Sequence, residues 1–131
     1  MKRHGILNSD IARVLAAMGH TDTLCVADCG LPIPKTTERI DLSLRHGVPG
    51  FMETLRTVAA DMVVEGLTLA EEIRIHNPGI LEEIQALFPG TGITFVTHEA
   101  FKGLTGRCSA VVRTGEATPY ANVILHAGVN F

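Results

Sequence analysis

The sequence predicts an α/β protein: a three-layer α/β/α sandwich with a mostly parallel central sheet, in one small domain spanning residues 1–131. Two observations carry the prediction. Apolar residues switch repeatedly between the helical spacing of i, i+3, i+4 and i+7 and the short apolar or alternating runs of strands. No repeat, low-complexity tract or linker interrupts that alternation, and 131 residues suffice for one hydrophobic core. The alternation of strands with helices fits a mostly parallel sheet covered on both faces.

Ile11, Val14, Leu15 and Met18 mark the first helix. Asn8 or Ser9 can cap its start, and Gly19 stands where a left-handed C-terminal residue belongs. Thr23 to Ala27 reads as a buried strand, ended by Asp28-Cys29-Gly30. Leu31-Pro32-Ile33-Pro34 is neither helix nor central strand, because two prolines lack N–H donors. Ile40, Leu42 and Leu44 alternate with polar residues and predict a second strand. After the break at Val48-Pro49-Gly50, a helix begins near Phe51 and carries Leu55, Val58, Ala59 and Met62 inward. Val63 to Ala70 follows as a strand weakened by Gly66. Asn77-Pro78 forms an N-cap and N1 pair for a helix through Ile80, Leu81, Ile84, Leu87 and Phe88, stopped by Pro89-Gly90. Ile93 to Val96 is a strand, Thr97 to Leu104 a short helix, and Ala110 to Arg113 and Ala121 to Leu125 are the last strands.

Composition excludes several function classes. Eleven Lys and Arg stand against fourteen Asp and Glu, a formal net charge of −3, and no basic stripe appears, so nucleic acid is not an expected partner. Aromatic content of 5% without tryptophan gives no base-stacking platform. No apolar run approaches the ~20 residues of a membrane span, and Asn8-Ser9-Asp10 denies the N-terminus a signal-peptide core. Three cysteines without a Cys-x-x-Cys pair suggest neither a disulfide framework nor a zinc knuckle, so Cys25, Cys29 and Cys108 are read as reduced thiols in a cytoplasmic protein. The six histidines are scattered, with no His-x-His and no His-Glu-x-x-His, so no metal site is expected. No dinucleotide fingerprint, Walker A sequence or Gly-x-Ser-x-Gly elbow occurs, and no cofactor is expected.

Ligands of open α/β sheets bind beyond the carboxyl ends of the strands. Asp28, His98 and the Arg113-Thr114-Gly115-Glu116 segment fall there, and His20 lies in the tight connection after the first helix. Taken singly, each has a plain structural account. Asp28 can cap a turn, His98 can sit unpartnered in a first helical turn, and His20 suits a helix C-terminus. Tyr120 can be a packing residue and Asn122 can hold a turn. His4, His46, His76 and His126 read as surface or structural residues.

Together, four segments give the chain a specific likeness. They are Leu7-Asn8-Ser9-Asp10 leading to Met18-Gly19-His20-Thr21-Asp22; Ala27 through Pro34 with Arg39-Ile40-Asp41-Leu42; Thr97-His98-Glu99-Ala100-Phe101-Lys102; and Arg113 through Asn122, running into Ala127-Gly128-Val129. In these segments the chain resembles the D-ribose pyranase family, small cytosolic sugar-ring isomerases. The sister family of L-fucose mutarotases shares the Met-Gly-His start but is less similar at Gly30 to Pro34 and at Thr118-Pro119.

The resemblance implies a compact three-layer fold, a homodecamer of two stacked pentameric rings, and a sugar held between adjacent subunits. It makes His20 the proton donor and assigns sugar binding to Asp28, His98, Tyr120, Ala121 and Asn122. Lys102 also matches a motif position. Cys29 departs from the family, where alanine is common. The implied reaction interconverts the pyranose and furanose forms of D-ribose through the open-chain aldehyde, with no metal or other cofactor. Two rival expectations are anomer exchange of a fucose-like sugar and sugar binding without catalysis.

Overall fold

The computed structural model describes residues 1–131. Its elements run α1 (Ser9–Ala17), β1 (Thr23–Ala27), β2 (Arg39–Asp41), α2 (Phe51–Ala59), β3 (Val64–Ala70), α3 (Ile73–His76), α4 (Pro78–Leu87), β4 (Gly92–Val96), α5 (His98–Thr105), β5 (Ala110–Arg113) and β6 (Val123–Ala127). The six strands form one sheet in the order β2-β5-β1-β6-β3-β4. β1 with β5, β2 with β5 and β3 with β4 are parallel, while β6 runs antiparallel to both β1 and β3. The expected mostly parallel sheet is therefore present, with one reversed strand at its centre. The reversal has a simple cause. Only residues 114–122 separate β5 from β6, and a parallel return takes a crossover of a dozen or more residues.

Strand residues alternate between two apolar layers. Leu24, Val26, Leu67, Leu69, Val112, Val123 and Leu125 face α1, α2 and α4, where Ile11, Val14, Phe51, Leu55, Val58 and Ile84 complete the larger core. Cys25, Ala27, Ala70, Val111 and Ile124 face the other way, towards Phe101 of α5 and Leu31. Three layers result, and the second outer layer is the thinner one. It consists of α5 and the proline-bearing segment after β1, whose missing donors suit it to a covering role rather than a strand.

Several local expectations need correction. Asn8 caps α1 by accepting from the N–H groups of Asp10 and Ile11 at 3.1 and 2.9 Å. Gly19, however, is not left-handed. Thr21 takes that conformation, with φ 75°, because its N–H is drawn to the carbonyl of Ala127 at 3.1 Å. β2 stops at Asp41 rather than reaching Leu44, since Asp41 Oδ1 accepts the Ser43 N–H at 2.9 Å and turns the chain. β3 begins at Val64, not Val63, and β6 spans Val123–Ala127, two residues later than expected at each end. Asn77 precedes α4 but its side chain makes no cap. Thr97 does cap α5, accepting from the Ala100 N–H at 3.2 Å.

Candidate active site

The carboxyl ends of β1, β3, β4 and β5 and the start of β6 share one rim of the sheet. Five of the six expected site residues gather there. Asp28 leaves the end of β1. One of its carboxylate oxygens accepts from the N–H groups of Gly30 and Leu31 at 2.9 and 2.8 Å, so the turn-capping account of this residue is true. The other accepts from Asn122 Nδ2 at 2.8 Å, while Asn122 Oδ1 receives the Asp28 N–H at 2.9 Å. The buried Asn122 side chain and the Asp28 backbone and carboxylate thus clamp one another across 94 residues. Two hydrogen bonds between partly buried groups, one to a charge, fix the carboxylate's direction.

His98 opens α5 at the end of β4. Its N–H lies 3.0 Å from both carboxylate oxygens of Glu72, and this N–H chiefly holds the Glu72 carboxyl below the ordinary glutamate range. The imidazole Nδ1 of His98 is buried without a hydrogen-bond partner in the chain. Buried polar atoms are rarely left unsatisfied, and at a rim of this kind the orphan suits a ligand hydroxyl. Tyr120 stands edge-on to His98, ring centroids 5.1 Å apart, and tilted against His76 at 5.3 Å. Its backbone is left-handed, φ 58°. Ala121 is fully buried, main chain included, and belongs to the core beneath this cluster.

A cleft of about 350 Å³ opens beside this cluster, lined by Asp28, Cys29, Gly30, His46, Glu116 and Thr118 among others. Burial of Glu116 works against its ionisation. Hydrogen bonds from the N–H groups of Phe51, Thr118 and Ala117 outweigh that effect and hold its carboxyl below the ordinary value. Arg113 supports the cleft from behind. Its guanidinium donates to the Cys29 carbonyl at 3.0 and 2.9 Å, to Asp41 at 3.0 Å and to Ser43 Oγ at 2.7 Å. Gly115 must be glycine, because a Cβ there would collide with the carbonyl oxygens of Arg45 and Val48. Lys102 pairs with Glu99 one helical turn away.

His20 is elsewhere. It is exposed, in the connection before β1, and its Nε2 lies 3.1 and 3.0 Å from the two carboxylate oxygens of Glu65 at the start of β3. A carboxylate only accepts, so Nε2 carries the hydrogen and Nδ1 remains free. Around it a cavity of about 300 Å³ is lined by Met18, Val63, Gly128, Val129 and Phe131 among others. The whole of β1 separates His20 from Asp28, about 16 Å at the rise of an extended strand. One chain therefore does not bring its expected acid to its expected binding residues. No three His, Cys, Asp or Glu side chains converge as metal ligands, and no helix is long and apolar enough to cross a membrane.

Sequence reasoning missed Glu65, Glu72 and the reach of Asn77, and named Glu116 only within the Arg113-Thr114-Gly115-Glu116 segment. It also read His76 and His46 as surface or structural residues, although they touch the Tyr120 ring and line the cleft. Glu72 and Glu116 each stand at a strand end or loop on the functional rim, and that placement was the one signal available.

A model of the RbsD / FucU transport protein family matches residues 1–130. The chain is 59% identical over 131 residues to the D-ribose pyranase of Exiguobacterium sibiricum, and 55% identical over 131 residues to that of Bacillus cereus, in both cases covering all of each protein. The structure of Bacillus subtilis RbsD complexed with D-ribose superimposes with a TM-score of 0.98, at 49% identity over the full length of both chains. The fucose mutarotase of Streptococcus pneumoniae shares the fold, with a TM-score of 0.84 at 24% identity over 99% of this chain and all of that one.

Proposed function

The chain belongs to the RbsD / FucU transport protein family, and from that premise we propose that it interconverts the pyranose and furanose forms of D-ribose by acid–base ring opening and reclosure. The observation that carries this reading is the full-length match to D-ribose pyranases at 55% and 59% identity. The ribose-bound relative, similar over its whole length, supports the same substrate. The whole chain, residues 1–131, acts as one sugar-ring isomerase domain.

The reaction needs two proton movements. Opening a pyranose delivers one proton to the ring oxygen and removes one from the anomeric hydroxyl, leaving an open-chain aldehyde. Closure by a different hydroxyl reverses both transfers and gives the furanose. No electrons are exchanged. His20 is the assigned acid, a role suited to a side chain that changes charge near neutral pH. With Nε2 held by Glu65, Nδ1 is the nitrogen free to carry the proton. Asp28, fixed by Asn122, receives sugar hydroxyls, His98 Nδ1 and Tyr120 complete the cradle, and the buried Ala121 links Tyr120 to Asn122.

His20 meets that cradle in a neighbouring copy. Its distance from Asp28 within one chain requires a second subunit, and two exposed apolar groups suit the contact. Val63, Val129 and Phe131 surround His20, whereas Leu44 and Ile75 stand beyond the opposite rim. A head-to-tail contact of two unlike surfaces makes a ring when its rotation closes, in keeping with the decamer of two pentameric rings that the family likeness implies. The reading places the enzyme in the cytoplasm, where the three free thiols remain reduced.

Saturation-transfer NMR on D-ribose with catalytic amounts of protein tests the proposal. Exchange between pyranose and furanose anomeric protons should be accelerated. His20→Ala should lower it by about 10²-fold or more while ribose still binds. Transfer confined to the α and β anomers of one ring size would replace the reading by a mutarotase. Binding without any acceleration would replace it by a sugar-binding protein.

A further inference from the structure

Asn77 occupies the position expected of a helix cap, yet α4 does not use it. Pro78 fills the first helical position and has no N–H to satisfy, and the Asn77 side chain makes no capping bond. Its carboxamide instead crosses to the loop before β6. Nδ2 donates to Thr118 Oγ1 at 2.9 Å and to the carbonyl of Pro119 at 2.9 Å. The carbonyl can only accept, which fixes the orientation of the amide. Both acceptors immediately precede Tyr120, whose φ of 58° lies in the left-handed region that a bulky residue enters only under constraint. Its two aromatic neighbours come from the same neighbourhood: His76, adjacent to Asn77, lies tilted against the ring, and His98, anchored through Glu72, meets it edge-on.

We infer that Asn77 is a positioning residue for the sugar pocket, acting through Tyr120: its two donated hydrogen bonds hold the Thr118-Pro119 segment so that Tyr120 keeps its left-handed backbone and its ring stays packed against His76 and His98. This rests on the ribose reading. Asn77 does not touch the reacting atoms, so its removal weakens sugar binding and leaves the proton transfers intact.

The test uses Asn77→Asp, which keeps the shape and removes both donors, and Thr118→Val, which removes one acceptor from the other side. Ribose exchange is measured by NMR across ribose concentrations. Tyr120 is the only tyrosine and there is no tryptophan, so intrinsic fluorescence reports this one ring without reference to activity. Asn77→Asp should raise the KM for ribose by about tenfold, the scale of two lost hydrogen bonds partly replaced by water, with kcat within about twofold of wild type. Its tyrosine emission intensity should change, and Thr118→Val should move both readings the same way by less. Unchanged KM and unchanged emission would overturn the inference. So would a fall in kcat at unaltered KM, which would put Asn77 in the chemistry. If Asn77→Asp does not fold, Thr118→Val decides by the same two readings. If wild-type protein fails to exchange ribose, the ribose reading falls, and the emission of the variants still decides whether Asn77 holds Tyr120.

Discussion

At the scale of residues, the site is built from pairs that lie far apart in sequence. Asp28 and Asn122 are the strongest case: Asn122 bonds both the Asp28 N–H and one carboxylate oxygen, while the Gly30 and Leu31 N–H groups hold the other oxygen. Replacing Asp28 by Asn presents an amide where the Asn122 amide donates. Flipping Asn122 does not help, because its oxygen is already bonded to the Asp28 N–H. A donor is then left facing a donor, and the charge that would receive a sugar hydroxyl is gone. Losing one charged hydrogen bond typically costs enough to raise KM for ribose by roughly tenfold to a hundredfold. Exchange kinetics of Asp28→Asn, read against ribose concentration, check this, and an unchanged KM would remove Asp28 from the sugar site. The family likeness indicated Asp28 and Asn122 individually. The bond between them was not legible, because nothing in local spacing relates residues 94 apart.

Among the elements, the legible ones were those with enough length to show a period. α2 buries Phe51, Leu55 and Val58 at helical spacing, and β1 is apolar from Leu24 to Ala27. α3 has four residues and shows no period, yet it separates the two side chains that grip the rim, Glu72 before it and Asn77 after it. Glu72 makes a testable contribution to α5. The His98 N–H favours its ionised form, so its pKa lies lower in the folded chain than the roughly 4.3 of an unfolded glutamate. A lowered folded pKa stabilises above the unfolded value and is lost as pH falls through the folded one. Glu72→Gln should therefore unfold at a lower temperature than wild type at pH 7. The gap should close progressively below about pH 4.3, where the wild-type carboxylate takes up its proton. Thermal melts across that range measure it. A gap that stays constant into acid would mean that the charge of Glu72 does nothing for α5.

For the whole molecule, the sheet places the proposed acid, His20, and the proposed binding residues at opposite ends of β1, and no rearrangement inside one chain joins them without unthreading β1 from β5 and β6. The separation was already implicit in the sequence, where His20 precedes the β1 run and Asp28 follows it; what was not legible is which other residues share each rim, because that depends on which strands pair. The consequence is a complementation experiment. His20→Ala subunits keep an intact cradle and lack the acid, and Asp28→Asn subunits keep the acid and lack the cradle. Assayed at ribose well below the wild-type KM, each is strongly impaired when assembled alone. If every pocket takes His20 from one copy and Asp28 from the next, equal mixing with full subunit exchange leaves a wild-type pair in about one pocket in four, one half multiplied by one half. Activity should therefore recover to about a quarter of the wild-type level, and only after the subunits have dissociated and reassembled together. Mixed assemblies of confirmed composition that stay inactive would show that each chain carries its whole site, and the assignment of His20 as the acid would fall with the shared pocket.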